Sequence, residues 1–290
     1  MKSYSIILVT YNRAQRLNAV LSALLAQTRV ARKIIIINNN SDDDTERIIK
    51  GFTDERIIYL NTGANVGHGA GLAFGFEWYL NNEFRDEFLL FAEDDSEASK
   101  SLAESMIMQI EPTDYGLLVL DGLLHKLGRR YLPPIPEDTI VDVDFGLLDG
   151  AIMRSGVLKR VGLPVRDWFM MCDDMEYCTR IKKAGIKIGC VKNKYHTIFH
   201  LGANAGSSAQ GAIWRAYYQT RNHVYYLQRH FSLFRLCDFL IIEFKRLYGA
   251  LLVERNSLKT KLRLTGLMHG LRGIKGRSLN PKTLQFEKRK

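Results

Sequence analysis

The chain has no apolar run long enough to cross a bilayer, and it is short of proline and cysteine. Each shortage excludes something. A spanning helix needs about 20 consecutive apolar residues, so an embedded fold is not expected. The apolar start, Ile6–Val9, is too short for a signal peptide and reads as a first strand. Three of the six prolines, Pro133, Pro134 and Pro136, fall together and mark one loop. The cysteines Cys172, Cys178, Cys190 and Cys237 show no CxxC spacing, which removes the usual zinc site. They read as reduced, buried thiols of a cytoplasmic protein. There is no internal repeat and no low-complexity segment. What remains is an ordinary globular composition, 46% hydrophobic and 25% charged over 290 residues.

Positive charge is also missing from most of the chain. Residues 1–226 carry 26 Lys and Arg against 27 Asp and Glu, whereas residues 227–290 carry 15 against 4. The whole excess of +10 therefore sits in the tail. A nucleic-acid enzyme would place cations around its chemistry, so nucleic acid is not an expected partner of the body.

Along the body, β-type runs alternate with helical periodicity. Strands are expected over residues 4–10, 33–37, 56–60, 88–92 and 116–120, with helices over 13–27, 45–52, 70–81 and 102–110. That alternation implies right-handed crossovers and an α/β fold with a mostly parallel central sheet. Beyond residue 121 the pattern is irregular, with strand-like material at 141–154, a helix over 173–184, a strand over 186–191 and helices from 210 onward.

Chemistry-bearing residues recur where the first four strands end. Strand one runs into Thr10-Tyr11-Asn12-Arg13, strand two into Asn38-Asn39-Asn40-Ser41, strand three into Asn61 and Asn65, and strand four into Glu93-Asp94-Asp95. In a parallel sheet these loops share one edge, where such sheets hold their ligands. Three adjacent carboxylates repel one another unless a cation neutralises them, and an all-oxygen set suits Mg²⁺ or Mn²⁺. The plainer alternative is a solvated acidic turn. Asn39 carries both a donor and an acceptor for a uracil or thymine edge, although any single Asn here also reads as a turn residue. The glycines around His68 fit neither a P-loop nor a dinucleotide fingerprint, and His68 by itself reads as a surface residue.

A second acidic group, Asp173-Asp174-Met-Glu176, opens a helix behind the apolar run Trp168–Met171. A carboxylate there suits a general base, whereas capping by Asp173 with a Glu176–Arg180 pair is the structural alternative. His196 and His200 follow, either of them a nitrogen ligand for a carboxylate-bound Mn²⁺ or a core histidine.

Together these segments resemble the inverting, GT-A-fold glycosyltransferases of family 2. Val9–Arg13 is similar to that family's opening strand and nucleotide loop, and Asn38–Asp43 to its Asn/Asp-Asn-Gly-Ser-x-Asp element, with Asn40 in place of Gly. Asn65-Val-Gly67-His-Gly-Ala-Gly71 resembles its glycine turn. Glu93-Asp94-Asp95 stands where the DXD motif would, with Glu for its first acid, and Asp173-Asp174-x-Glu176-Tyr177 resembles the late acidic motif. Tyr217-Tyr-x-x-Arg221-Asn222-x-x-Tyr225 is similar to a signature of galactofuranosyl- and rhamnosyltransferase-like members.

The resemblance implies a catalytic domain over 1–226, divided into a nucleotide half (1–121) and an acceptor half (122–226), and a helical tail over 227–290. It implies that Asp95 ligates the metal, with Glu93 or Asp94 near the ribose and His196 or His200 as a further ligand. Thr10, Tyr11, Asn12, Arg13, Asn39, Ser41, Asn65, Gly67, Asp94 and Arg221 would contact the nucleotide-sugar. Asp174 would be the base and Asp173 would position the acceptor. A UDP-hexose such as UDP-galactofuranose is the favoured donor and dTDP-rhamnose the next, with a glycan or lipid-linked acceptor. A silent nucleotide-sugar-binding scaffold and a metal-dependent nucleotidyltransferase are the competing readings. The basic, apolar tail suggests peripheral attachment to an anionic membrane at its inner face. A helical pair packed on the body or on a second copy is the alternative.

Overall fold

The computed structural model describes residues 2–82, 85–132, 134–137, 139–192, 198–200 and 213–287. The first half contains β1 (Tyr4–Thr10), α1 (Ala14–Leu25), β2 (Ile34–Asn38), α2 (Thr45–Gly51), β3 (Ile57–Asn61), α3 (His68–Asn81), β4 (Phe88–Glu93), β5 (Ser96–Ala98), α4 (Leu102–Ile110) and β6 (Tyr115–Val119). Next come β7 (Gly122–Lys126), β8 (Arg129–Tyr131), β9 (Ile140–Asp142), β10 (Phe145–Gly146), β11 (Ile152–Arg154) and α5 (Ser155–Val161). The rest is α6 (Asp173–Lys183), β12 (Lys187–Val191), β13 (Ile198–His200), α7 (Trp214–Arg229), α8 (Leu233–Tyr248), a π-turn (Gly249–Val253) and α9 (Ser257–Leu271).

The main sheet has the order β3-β2-β1-β4-β11-β6-β12-β9. β1 to β4 are mutually parallel, and β11 enters antiparallel between β4 and β6. The expected halves therefore share one continuous sheet. Its strands read as unbroken apolar runs because both faces are covered. On one face Ile6, Leu8, Ile34, Ile36 and Leu90 pack with Leu17 and Leu21 of α1 and Met106 and Ile107 of α4. On the other, Ile7, Ile35, Ile37, Leu89 and Phe91 meet Leu72 and Phe76 of α3 and Cys178 and Ile181 of α6. The order reverses at β1, so the loops after β1, β2 and β4 flank the switch point where open α/β sheets bind ligands.

The tail belongs to this body. α7 runs through residue 226, where the tail was expected to begin, and α9 lies along it. Gly266 and Gly270 make the approach possible: a methyl group at Gly266 would lie 2.5 Å from the Tyr217 carbonyl oxygen. Of the four free cysteines, Cys178 and Cys190 are buried as expected, but Cys237 is exposed on α8.

α8 is fastened through its acids. Asp238 meets His125 Nε2 at 2.8 Å and Arg130 at 3.2 Å and accepts from the Gly128 N–H at 2.8 Å. Glu243 meets His223 Nδ1 at 2.8 Å and accepts from Thr220 Oγ1 at 2.8 Å. Burial works against both charges, but the His125 and His223 hydrogen bonds and nearby cations outweigh it and hold both carboxyls below their ordinary range. A depressed folded pKa gives stability that is complete above the unfolded value and is lost as pH falls through the folded one. The urea midpoint is therefore expected to drop as pH falls below about 4, with a shallower drop in Asp238→Asn. Equal slopes would remove Asp238 from the linkage.

Candidate active site

The loops after β1, β2 and β4 are laced together by their own polar groups. Asn12 and Asn40 adopt left-handed backbone angles, φ 55° and 56°, which Asn tolerates better than most residues. The Asn12 N–H donates to Ser41 Oγ at 2.9 Å, and the Asn12 side chain exchanges hydrogen bonds with Asp42. Arg13 donates from Nε to Asp94 at 3.1 Å and lies 3.5 Å from Asp95, so its charge spans the acidic turn. Asp94 also accepts from the Tyr11 N–H at 3.0 Å. Burial pushes the Asp94 carboxyl up, with Arg13 and that N–H opposing.

The second acidic group approaches the first at the sheet edge, where His68 and Glu93 line one small cavity. At the start of α3, His68 Nδ1 lies 2.9 Å from Asp173 Oδ2. His68, Asp173 and Asp174 offer ligand atoms all within 4.8 Å of one another, the one such group among the described residues. Burial opposes a charged imidazole, but Asp173, then Asp174 and Glu93, outweigh it and raise His68 to about 10. Burial, with Asp173 beside it, pushes Asp174 up to about 8 against the pull of His68. Burial likewise lifts Glu93 to about 7, helped by Asp149, Asp95 and Asp94. Asp149 joins here by accepting from the Glu93 N–H at 3.3 Å and Ser96 Oγ at 2.9 Å. The crowded carboxylates are thus offset by one imidazolium and one arginine.

The loop before α6 is strained and held. Phe169, Met171 and Cys172 all have left-handed angles, φ 66–73°, which apolar side chains rarely adopt. Asn222 Nδ2 donates to the carbonyls of Trp168, Met170 and Met171 at 2.9, 2.6 and 3.0 Å. Arg221 Nη2 donates to Trp168 at 2.7 Å, and Arg221 Nη1 reaches the Gly276 carbonyl and Ser278 Oγ, each at 2.7 Å. From the nucleotide side Gly67, φ 88°, passes so close that a methyl group there would lie 1.9 Å from the Phe169 carbonyl oxygen. Glycine is required at that crossing.

Most of the expected residues gather at this edge. Thr10, Tyr11, Asn12, Arg13, Ser41, Asn65, Gly67, Glu93, Asp94 and Asp95 lie on its loops, and His68 links Asp173 and Asp174 to them. Two expectations are corrected. Asn39 is buried and its amide is engaged with the Gly67 carbonyl at 3.1 Å and Thr62 at 3.3 Å, so it braces the glycine turn and does not face a base. Arg221 is fully buried against Tyr217, Tyr218 and Tyr225 and grips backbone carbonyls, so it cannot reach a diphosphate. His196 lies outside the described residues. The backbone register of β13 on β5 sets His200 opposite Ser96, next after Asp95. The surface reading of His68 fails, because two distant carboxylates converge on it. Asp149 was also missed, since a lone Asp-Gly reads as a turn.

His68→Gln is expected to lower kcat by about 10- to 100-fold, the loss of one charge-assisted hydrogen bond. Removing its positive charge raises Asp174 further, so the rising acid limb of the pH–rate profile should move to higher pH. An unmoved limb would leave His68 a packing residue only.

The mostly parallel central sheet with helices on both faces and a helical C-terminal segment is the GT-A fold of glycosyltransferases. Residues 5–137, less than half of the chain, match the family described as Glycosyl transferase family 2. Residues 1–349 of S. aureus TarS align with a TM-score of 0.60 at 14% identity, over 92% of this chain and 80% of that one. Longer TarS aligns at 0.64 and 15% identity, over 94% of this chain but 49% of its own length. The mannosyltransferase PcManGT of Pyrobaculum calidifontis, in complex with GDP-Man and Mn²⁺, aligns at 0.58 and 13% identity over 93% and 75%. Identities this low establish fold alone. No curated protein sequence matches the chain.

Proposed function

We propose that the protein transfers a hexose, with inversion, from a nucleotide-diphosphate donor to a glycan or lipid-linked acceptor in surface polysaccharide synthesis. A UDP-hexose such as UDP-galactofuranose is the favoured donor and dTDP-rhamnose the second. One observation carries the reading: His68, 2.9 Å from Asp173, lines a small cavity together with Glu93 of the acidic turn, which brings the two acidic groups to one place on the sheet's edge. One similar structure, TarS 1–349, is in complex with UDP-GlcNAc, and another, PcManGT, with GDP-Man and Mn²⁺.

In this reading the loop of Tyr11, Asn12 and Arg13 holds the nucleotide, with Asp94 oriented by Arg13 toward the ribose. Asp95 and Glu93 would hold Mn²⁺ or Mg²⁺, which fits their crowded, all-oxygen donor set, and His200, whose backbone pairs with Ser96, is the candidate further ligand. Such an ion supplies charge neutralisation for the departing diphosphate. Asp173, fixed by His68, positions the acceptor hydroxyl, and Asp174 takes its proton as that oxygen attacks the anomeric carbon from the face opposite the leaving group. In this reading the site works at the inner face of the cell membrane.

Screening nucleotide-sugars for Mn²⁺-dependent donor hydrolysis, with the product anomer read by NMR, tests this reading. Asp95→Ala is expected to weaken donor binding in Mn²⁺ by at least about tenfold and to change it little in EDTA. Binding without turnover for every donor would favour a scaffold, and pyrophosphate release from a nucleoside triphosphate would favour a nucleotidyltransferase.

A further inference from the structure

The helix α8 is built inside out. Its buried face carries Asp238, Phe239 and Glu243, while its outer face carries Leu233, Leu240 and Phe244, which are 72%, 57% and 68% exposed. The spacing 233, 237, 240, 244, 248, 251 advances by three or four residues, so these positions form one stripe, roughly 27 Å long. Tyr248, Leu251, Leu252 and Val253 continue it through the π-turn, all of them exposed. Monomeric surfaces rarely leave such a continuous apolar patch open to water.

Charge identifies what covers it. Arg255, just after the π-turn, and Lys261, early in α9, flank the stripe along the chain and are exposed, whereas the Lys245 ammonium donates to the Gly128 carbonyl at 2.9 Å. The four acids of residues 227–290 are all paired within the chain: Asp238 and Glu243 inside, Glu254 with Lys259 at 2.7 Å, and Glu287 with Arg277 at 2.9 Å. A second copy laid on this face would set like charge against like, whereas a layer of anionic headgroups supplies the missing countercharge. We propose that the outer face of α8 and its π-turn is a docking surface for an anionic lipid bilayer. Phe244, Leu240 and Leu251 enter the headgroup boundary, and the flanking cations engage phosphates. This names the face and the lipid chemistry of the membrane contact expected from the tail. It also changes its form, since α9 packs on α7 with Leu264, Met268 and Leu271 left exposed, while the longer apolar stripe is the outer face of α8 and its π-turn.

The position of the stripe suits a lipid-borne acceptor. A cavity of about 260 Å³ lies between the two helices, lined by Met175 and Thr179 of α6 and by Phe234 and Arg235 at the start of α8. Met175 follows Asp174 in the chain, so an acceptor held at the bilayer arrives beside the helix that carries the base. That last point rests on the transfer reading, whereas the docking does not.

Flotation of the full chain with vesicles, either phosphatidylcholine alone or equal parts of phosphatidylcholine and phosphatidylglycerol, tests the proposal. Flotation with the anionic vesicles only is expected, and it should weaken as salt rises. The triple variant Leu240→Ser, Phe244→Ser, Leu251→Ser should bind at least about tenfold more weakly, because three solvent-facing apolar side chains are lost. Its urea midpoint and donor hydrolysis should match the parent, which separates failure of docking from failure of folding or of the transfer reading. Equal flotation of parent and variant, or none of the parent on anionic vesicles, overturns the proposal. A parent dimer that the triple variant converts to monomer, with vesicle binding unchanged, assigns the face to a second copy and overturns it equally.

Discussion

Asp174→Asn is expected to reduce turnover by about 10²–10⁴-fold while leaving donor affinity close to that of the parent. Asparagine keeps the size of the side chain and its place on α6 but cannot accept the acceptor's proton. Asp173 cannot substitute, because its Oδ2 is engaged with His68 at 2.9 Å. Single-turnover rates measured beside calorimetric titration of the donor separate the two effects. A loss of donor affinity as large as that of Asp95→Ala would show that Asp174 holds the donor, and the base would then have to be sought elsewhere on this edge.

Arg221→Ala is expected to cost about 3–5 kcal/mol of stability, the range for breaking a buried charged network. The side chain has no exposure, and its guanidinium bonds Asn222, Trp168, Gly276 and Ser278 between the rings of Tyr217, Tyr218 and Tyr225. Its removal leaves the Gly276 carbonyl without that donor and the Trp168 carbonyl with Asn222 alone, and a loop with three left-handed residues loses part of its brace. Arg221→Lys should recover only part of the loss, because an ammonium cannot span those acceptors in one plane. Urea melts of the two variants check this. A cost below about 1 kcal/mol in Arg221→Ala would mean that Asn222 alone holds the loop.

The sheet was legible because its strands are buried on both sides and so write themselves as unbroken runs, as in Ile34–Ile37 and Phe88–Ala92. The short strands of the acceptor half were not. β7, β8 and β10 have two to five residues and half-exposed faces, too little for a period of two to stand out. The loops at the first four strand ends were readable from composition, as was the Glu176–Arg180 pair at 2.9 Å. The errors concerned side chains whose partners lie far along the chain. His68 and Asp173 are 105 residues apart, and Arg221 reaches Gly276 over 55. A motif can mark such residues as special, as Arg221-Asn222 was marked, but it cannot say whether they face a ligand or the backbone. In α8 the sequence shows a basic, apolar helix but not that Asp238 and Glu243 turn inward, because their partners His125 and His223 lie on other elements.

The grip of Arg221 on Gly276 ties the loop before α6 to a segment far along the chain from it. The sheet and the loops at its edge can therefore form while that loop still lacks part of its brace, which is in place only when residues 276–278 have folded back onto α7. The order of the loop that carries Asp173 and Asp174 is thus set by a contact outside the sheet altogether.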